Sequence, residues 1–148
     1  QGELKMSIVA TVSNHAKYQL SKGLVDLSAD TLKVILMNTT FTFDKDTHST
    51  LAAVTASQLA TGNGYTQDDK TITTQVLTED DTNDKAIMTC DNVTWTASGG
   101  DIGGTGSFCI YDDTTSDDTI IACVDFGTDY TISDGSSLQL QNIKISLA

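Results

Sequence analysis

The sequence predicts a mainly β protein, an antiparallel β-sandwich or jelly roll with an N-terminal α-helix. Beyond Gly64, nearly every segment is a short apolar or β-branched run bounded by Asp, Asn, Gly or Ser, which is the pattern of strands and turns. Only one stretch, near the N-terminus, has clear helical periodicity. The single tryptophan, Trp95, lies between threonines in one of the strand-like runs. The candidate strands are residues 70–78, 84–90, 92–97, 106–111, 119–126 and 137–147.

The predicted helix covers residues 12–24. Ser13 or Asn14 can cap its start, and Gly23 can end it. Apolar side chains recur at every fourth position, as on one face of a helix. These apolar residues are Val12, Ala16, Leu20 and Leu24.

The chain before Met6 does not look native. We interpret residues 1–5 as an expression-tag remnant and residues 6–148 as a single β-sandwich domain, without linker or internal repeat. This length is sufficient to bury a substantial core. No secretory signal follows Met6, and no run reaches the roughly 20 apolar residues of a membrane span. We therefore expect a soluble protein that does not enter a membrane.

Four further segments complete the prediction of the fold. Residues 31–37 are almost continuously apolar, which predicts a strand buried on both faces, with the helix covering one of them. Residues 51–60 predict a brief helix. Residues 120–126 carry apolar side chains at every second position, as a half-buried antiparallel strand does. In the last candidate strand the apolar phase changes at Gln141-Asn142, which predicts a β-bulge.

Three aromatic residues are the predicted structural anchors, namely Trp95, Tyr65 and Phe126. We expect Trp95 to be mostly buried against the strands at 106–111 and 119–126, because a large aromatic side chain dominates the core of a small sheet domain. Tyr65 follows a glycine-rich turn and returns to the core, and Phe126 continues the apolar face of its strand.

The chain is strongly acidic, with 20 acidic residues, 8 basic residues and a net charge of −12. A surface of this charge repels phosphate backbones, so we expect no nucleic-acid partner. It favours a basic partner surface. Short acidic groups such as Asp112-Asp113 and Asp117-Asp118 are interpreted as solvated turns, with calcium or a cationic partner as the alternative.

Cys90, Cys109 and Cys123 lie in strand-like apolar runs, far apart in sequence. An odd number of cysteines without a CxxC pair indicates neither a disulfide framework nor a zinc site. We predict three buried, free thiols. A single bridge between facing strands is the alternative.

The sequence provides no catalytic constellation and no cofactor motif. Asp44 and Asp46 have the alternating spacing of a calcium loop, but the sharp-turn glycine and the late glutamate of an EF-hand are missing, so a solvated turn is favoured. His15 and His48 are the only histidines, and neither accompanies a serine in a strained elbow. The glycines at 99–106 precede a strand rather than a helix, which indicates a sharp corner rather than a phosphate loop.

Taken in order, several segments resemble a family of small structural proteins from tailed-bacteriophage virions. The resemblance spans nearly the whole chain from about residue 14, and its specificity comes from the order and spacing of weak motifs. One departure is Gly103-Gly-Thr-Gly106, where many relatives carry an arginine-containing turn. The matching segments are Gly23-Leu-Val-Asp-Leu-Ser-Ala-Asp-Thr-Leu-Lys-Val-Ile-Leu36, Phe43-Asp-Lys-Asp-Thr-His48, Gly62-Asn-Gly-Tyr-Thr66, Asn92-Val-Thr-Trp-Thr-Ala-Ser98, Ile110-Tyr-Asp-Asp-Thr114 and Val124-Asp-Phe-Gly127.

The resemblance implies a non-enzymatic virion protein made in the host bacterial cytoplasm. The expected role is a capsid decoration or cement protein that stabilises the head, with the major capsid protein as partner. The alternative is a tail- or fibre-associated module that recognises a host glycan or surface receptor. A homo-oligomer is expected, a trimer ahead of a dimer, with its subunit contact at residues 12–24 or 137–147, which are poor in carboxylates.

Overall fold

The computed structural model describes residues 3–6 and 10–148, with side chains described from residue 10 onward. Strand accounts for 45% and helix for 11% of the structure. The protein is therefore mainly β, with antiparallel sheets and a short helix near the N-terminus, consistent with the predicted β-sandwich.

The described residues form two α-helices and eleven strands. The helices are α1 (Asn14–Ser21) and α2 (Leu51–Val54), and a 3-10 turn over Thr55–Ser57 continues the second. The strands are β1 (Glu3–Met6), β2 (Thr11–Val12), β3 (Leu32–Asn38), β4 (Lys70–Thr71), β5 (Val76–Asp80), β6 (Lys85–Thr89), β7 (Val93–Thr96), β8 (Ile102–Asp112), β9 (Ile120–Ile132), β10 (Ser137–Leu140) and β11 (Lys144–Leu147).

The largest sheet has five strands in the order β2-β9-β8-β3-β4. Its centre is antiparallel: β8 pairs with β9 on one side and with β3 on the other. Val34 and Leu36 face a large apolar cluster that includes Ala16 of α1. Ile35, on the opposite face, belongs to a smaller cluster with Val54 of α2. The prediction of a strand buried on both faces is confirmed. Helix α1 covers the same sheet mainly at the neighbouring part formed by β9.

Strand β9 differs from its prediction as a half-buried strand. Ile121 and Cys123 are as inaccessible as Ile120 and Ala122, with at most 2% of each exposed. The reason is the position of β9 between β2 and β8, where one cluster covers each face of the sheet. Alternate residues of a strand point to its two faces, and in β9 both faces are covered by apolar side chains.

Two three-stranded sheets complete the fold, in the orders β1-β10-β7 and β11-β6-β5. All pairings in them are antiparallel except that of β1 with β10, which is parallel. Strand β1 crosses the boundary that we drew after residue 5, because it pairs Glu3–Met6 with Ser137–Leu140. The predicted final strand is divided between the two sheets. Asn142, with φ of +53°, lies where the chain changes sheet, so the predicted bulge is a strand break.

Helix α1 is shorter than predicted. Ser13 is the N-cap, with its Oγ accepting a hydrogen bond from Ala16 N at 2.9 Å, and Gly23 follows the helix with φ of +71°. Both predicted terminal signals are confirmed. Leu24 nevertheless lies beyond the last turn and is 52% exposed, because the chain has already left the helical path.

The predicted glycine corner is only partly correct. Gly99 and Gly100 precede β8, but Gly103 and Gly106 lie within it. A Cβ at Gly106 would stand 2.8 Å from Asp129 Oδ1, and one at Gly103 would stand 2.9 Å from the Cα of Thr131. These two glycines therefore allow β9 to approach β8 closely.

The prediction of three free cysteines is wrong. Cys109 of β8 and Cys123 of β9 are directly opposite in the strand register and form a disulfide. Both are buried in the smaller cluster. Cys90 is free and half-buried, and burial raises the pKa of its thiol to about 11. A bridge between facing strands, the alternative, is what the fold contains.

Candidate functional site

A group of carboxylates lies at the end of the large sheet where β8 turns into β9. We call it the acidic end and define it by six carboxylates. Four follow one another along the chain, and two come from loops that pack beside them. The six residues are Asp30, Asp68, Asp112, Asp113, Asp117 and Asp118.

The turn that carries these carboxylates is held to the sheet by backbone and hydroxyl bonds. Asp112 N donates to Thr119 O at 2.8 Å, and Asp113 N donates to Thr31 O at 2.8 Å. Thr115 Oγ1 donates to Asp112 O at 3.0 Å and accepts from Thr119 N at 2.9 Å. Because the turn continues two buried strands, its charges are fixed in position rather than displayed on a loose loop.

Asp112 is the most unusual carboxyl group of this end. It is fully buried, and its Oδ1 accepts from Thr114 N at 2.8 Å, whereas its Oδ2 has no hydrogen-bond partner among the described residues. Burial, followed by the neighbouring Asp30 carboxyl, raises the pKa of Asp112 to about 7. Protonation of Asp112 removes a buried negative charge beside the Asp30 carboxyl, which explains how the two acids can lie close together.

Asp117, in contrast to Asp112, is kept in its ionised form. Burial alone raises its pKa, but hydrogen bonds from Thr119 Oγ1 at 2.6 Å and from His15 Nε2 at 2.8 Å outweigh burial and lower it. His15 also stacks on Tyr18, with ring centroids 6.3 Å apart. The histidine therefore joins α1 to the acidic end.

Only one lysine bonds to the acidic end in the described structure: Lys33 Nζ lies 3.3 Å from Asp113 Oδ2. Burial and the charges of Asp113 and Asp117 raise the pKa of Asp118. Asp68, on the neighbouring loop, accepts from Gln58 Nε2 at 3.2 Å. Carboxylates thus outnumber cations here, and the surface offers an electrostatic match for lysines or arginines of a partner.

The predicted calcium candidates lie elsewhere, in the loop after β3. Asp44 Oδ1 accepts from Asp46 N at 2.9 Å, and His48 Nδ1 accepts from Asp44 N at 3.0 Å. Asp46 Oδ1 accepts from Lys45 Nζ at 2.7 Å. His48 also stacks on Phe41, with ring centroids 5.1 Å apart. These groups shape the loop and dock it on the sheet. Nowhere in residues 10–148 do three or more His, Cys, Asp or Glu side chains form a group able to hold a metal ion.

The predicted anchors are core or near-core residues. Trp95 is 1% exposed, as predicted, and its ring centroid lies 6.4 Å from that of Tyr65. The Tyr65 hydroxyl donates to Gln58 Oε1 at 2.8 Å and accepts from Leu36 N at 3.1 Å, and burial raises its pKa. Phe126 is half-buried and packs on Phe108, with ring centroids 5.9 Å apart.

Sequence reasoning interpreted the acidic groups as solvated turns and missed the buried acid. Asp112 is fully buried, whereas its neighbour Asp113 is exposed. The available signal was the apolar run Phe108–Tyr111, which enters the acidic pair directly, so that the first aspartate still belongs to the buried strand. The partner, Asp30, is 82 positions away in the sequence, and no local pattern indicates it.

Comparison with protein-family models, with curated proteins and with solved structures finds no match to this chain. Among the described helices, none has the length and apolar character needed to cross a bilayer.

Proposed function

We propose that this protein is a non-enzymatic structural protein of a tailed-bacteriophage virion, and specifically a capsid decoration protein that stabilises the head. The observation that carries the proposal is the acidic end, a set of carboxylates fixed on a buried antiparallel sheet. The order of the sequence motifs that resemble phage virion proteins supports the same role.

Rigid attachment of the carboxylates suits a protein that binds a finished shell. Association loses less conformational freedom when the charged groups are already in place. A shell also offers the same site many times, so moderate affinity at each copy is sufficient to reinforce it. The expected partner is the major capsid protein, through a surface that carries lysines or arginines.

The buried disulfide between Cys109 and Cys123 is compatible with this role. Disulfides persist in oxidising surroundings and are rare in the reducing cytoplasm. A virion component is made in the cytoplasm but acts outside the cell. Both sulfur atoms are shielded, since the two residues are at most 2% exposed, which protects the bond once it has formed.

The test compares virions that contain the protein with virions that lack it. Heat-induced release of DNA measures the strength of the head, and adsorption to host cells measures receptor binding. The proposal expects earlier DNA release and normal adsorption without the protein. Normal heads with lost adsorption would instead support the tail- or fibre-associated module that binds a glycan or receptor.

The acidic end can be tested in the same system. Purified protein is added back to the deficient virions as wild type, as Asp113→Lys with Asp118→Lys, or as Asp84→Lys with Asp129→Lys. The last pair makes the same charge change at exposed aspartates outside the acidic end. The proposal expects the wild type and the control to restore the heads and the first pair to fail. Equal rescue by all three would contradict binding through the acidic end.

A further inference from the structure

Four large hydrophobic side chains are exposed in the described structure, and they occur as two pairs. Tyr18 and Leu24 belong to α1 and its C-terminal flank and are 58% and 52% exposed. Val76 and Leu77 begin β5 and are 47% and 44% exposed. Isolated exposed apolar residues are ordinary, but paired ones often mark a contact surface.

The first pair lies in the longest part of the chain without an acidic residue. Residues 4–25 contain no Asp or Glu, and Lys17 and Lys22 are exposed beside Tyr18. Lys22 Nζ lies 5.0 Å from the centroid of the Tyr18 ring, so the ring and the charge form one surface. We call Lys17, Tyr18, Lys22 and Leu24 the helix patch.

The second pair lies on the hairpin of β5 and β6. Successive residues of a strand point to opposite faces, and Val76 to Glu79 are all exposed, so both faces of β5 meet solvent. Strand β5 is also the edge of its sheet. Glu79, Asp80 and Asp81 follow the apolar pair directly. Leu77 and Glu79 share one face of β5, and Val76 lies on the other. We call Leu77, Glu79 and Asp81 the hairpin patch.

The two patches are complementary in both of their components. Each has exposed apolar surface, and the charges beside it are positive on one and negative on the other. The chain carries a net charge of −12, so contacts between carboxylate-rich surfaces of two copies are unfavourable. The helix patch carries two lysines and no carboxylate, so it attracts the acidic hairpin patch of a second copy.

We infer that a second copy of this chain is the partner of these surfaces, with the helix patch of one copy contacting the hairpin patch of the other. The contact packs Tyr18 and Leu24 against Leu77 and pairs the lysines with Glu79 and Asp81. It corresponds to the first of the two subunit contacts expected from the sequence. In the other candidate region, β10 has partners on both edges, whereas β11 is an edge strand of its sheet. The inference stands apart from the proposed function, since it needs no shell.

Charge reversal tests the contact directly, by sedimentation velocity over a concentration series at about 0.1 M salt. One variant is Lys17→Glu with Lys22→Glu, and the other is Glu79→Lys with Asp81→Lys. Asp80 is left unchanged because its Oδ1 accepts from Asn83 N at 3.2 Å and shapes the turn. Unchanged far-ultraviolet circular dichroism and melting temperature confirm that each variant folds.

The expected result is that the wild type associates and that each variant associates at least about tenfold more weakly, as the loss of two exposed ion pairs implies. An equimolar mixture of the two variants restores association, because the reversed charges match again. The acid-reversed variant separates this contact from general repulsion. Its net charge is less negative, so weaker repulsion alone would make it associate more strongly than the wild type.

Matched controls reverse charges outside the two patches. Lys45→Glu with Lys144→Glu and Asp69→Lys with Asp129→Lys change exposed residues by the same charge. The inference expects both to associate within about threefold of the wild type. A monomeric wild type at millimolar concentration would overturn it. So would equal weakening by the controls, or a mixture that remains monomeric.

Discussion

Replacement of Asp112 by Asn should stabilise the protein at neutral pH and leave it almost unchanged in mild acid. Asp112 is buried beside Asp30, and its pKa is raised from 3.8 to about 7. Below pH 3.8 the group is protonated in both the folded and the unfolded state. Between the two pKa values the unfolded chain has lost the proton and the folded chain keeps it, so the free energy of unfolding falls as pH rises.

The size of the stabilisation follows from the interval between the two pKa values of Asp112. Each pH unit between 3.8 and about 7 lowers the free energy of unfolding by about 1.4 kcal/mol. The full window corresponds to about 4 kcal/mol, an upper limit because local rearrangement relieves part of the penalty. Asn carries no charge at any of these pH values, and its Oδ1 retains the bond from Thr114 N. We therefore expect the free energy of unfolding of Asp112→Asn to exceed that of the wild type by about 2–4 kcal/mol at pH 8 and by almost nothing at pH 4.

Urea unfolding, followed by tryptophan fluorescence at several pH values from 4 to 8, measures this difference. Asp113→Asn is the matched control, since it removes the same charge from the next residue, which is exposed and bonded to Lys33 at 3.3 Å. The control should be no more stable than the wild type at any pH. If the free energy of unfolding of Asp112→Asn and of the wild type changed equally with pH across this range, the raised pKa of Asp112 would be refuted.

Three further predictions concern the core. Trp95→Ala should lower the free energy of unfolding by about 3–5 kcal/mol in urea unfolding followed by circular dichroism, because it empties a buried aromatic site; a cost under about 1 kcal/mol would contradict its role as an anchor. Gly64→Ala should also destabilise the protein, because the φ of Gly64 is +96° and a Cβ would overlap with the Thr96 carbonyl oxygen. Thermal unfolding measures this effect, and an unchanged melting temperature would be the contrary result. Replacing Cys109 and Cys123 together by Ala should cost about 3 kcal/mol, and intact mass before and after reduction should differ by two hydrogens; an identical mass would show that the bridge does not form.

The sequence predicted those parts of the fold whose signals are local. The strand at 31–37 and the turn that returns Tyr65 to the core were correct, because apolar runs and glycines act within a few residues. The helix was placed correctly but made too long, since Leu24 continues the apolar period after Gly23 has already ended the helix. Periodicity alone does not mark where a helix ends.

The features that were missed depend on residues far apart in the chain. Cys109 and Cys123 form a bridge because the register of β8 and β9 places them opposite each other, and register is set by the whole sheet. The pairing of Asp112 with Asp30 likewise depends on how a loop packs beside a strand end. The candidate site was therefore visible in the sequence only as acidic composition, whereas its buried proton required the three-dimensional arrangement.

A reconstruction of the virion tests the central proposal most directly. The structure provides a mainly β shape to fit into density, with the hairpin at β5–β6 and the acidic end at the β8–β9 turn as landmarks. The proposal predicts this shape on the outer surface of the head, at repeated positions, with the acidic end against basic side chains of the major capsid protein. Density for the same shape on the tail or fibres, or its absence from the virion, would contradict the proposed function.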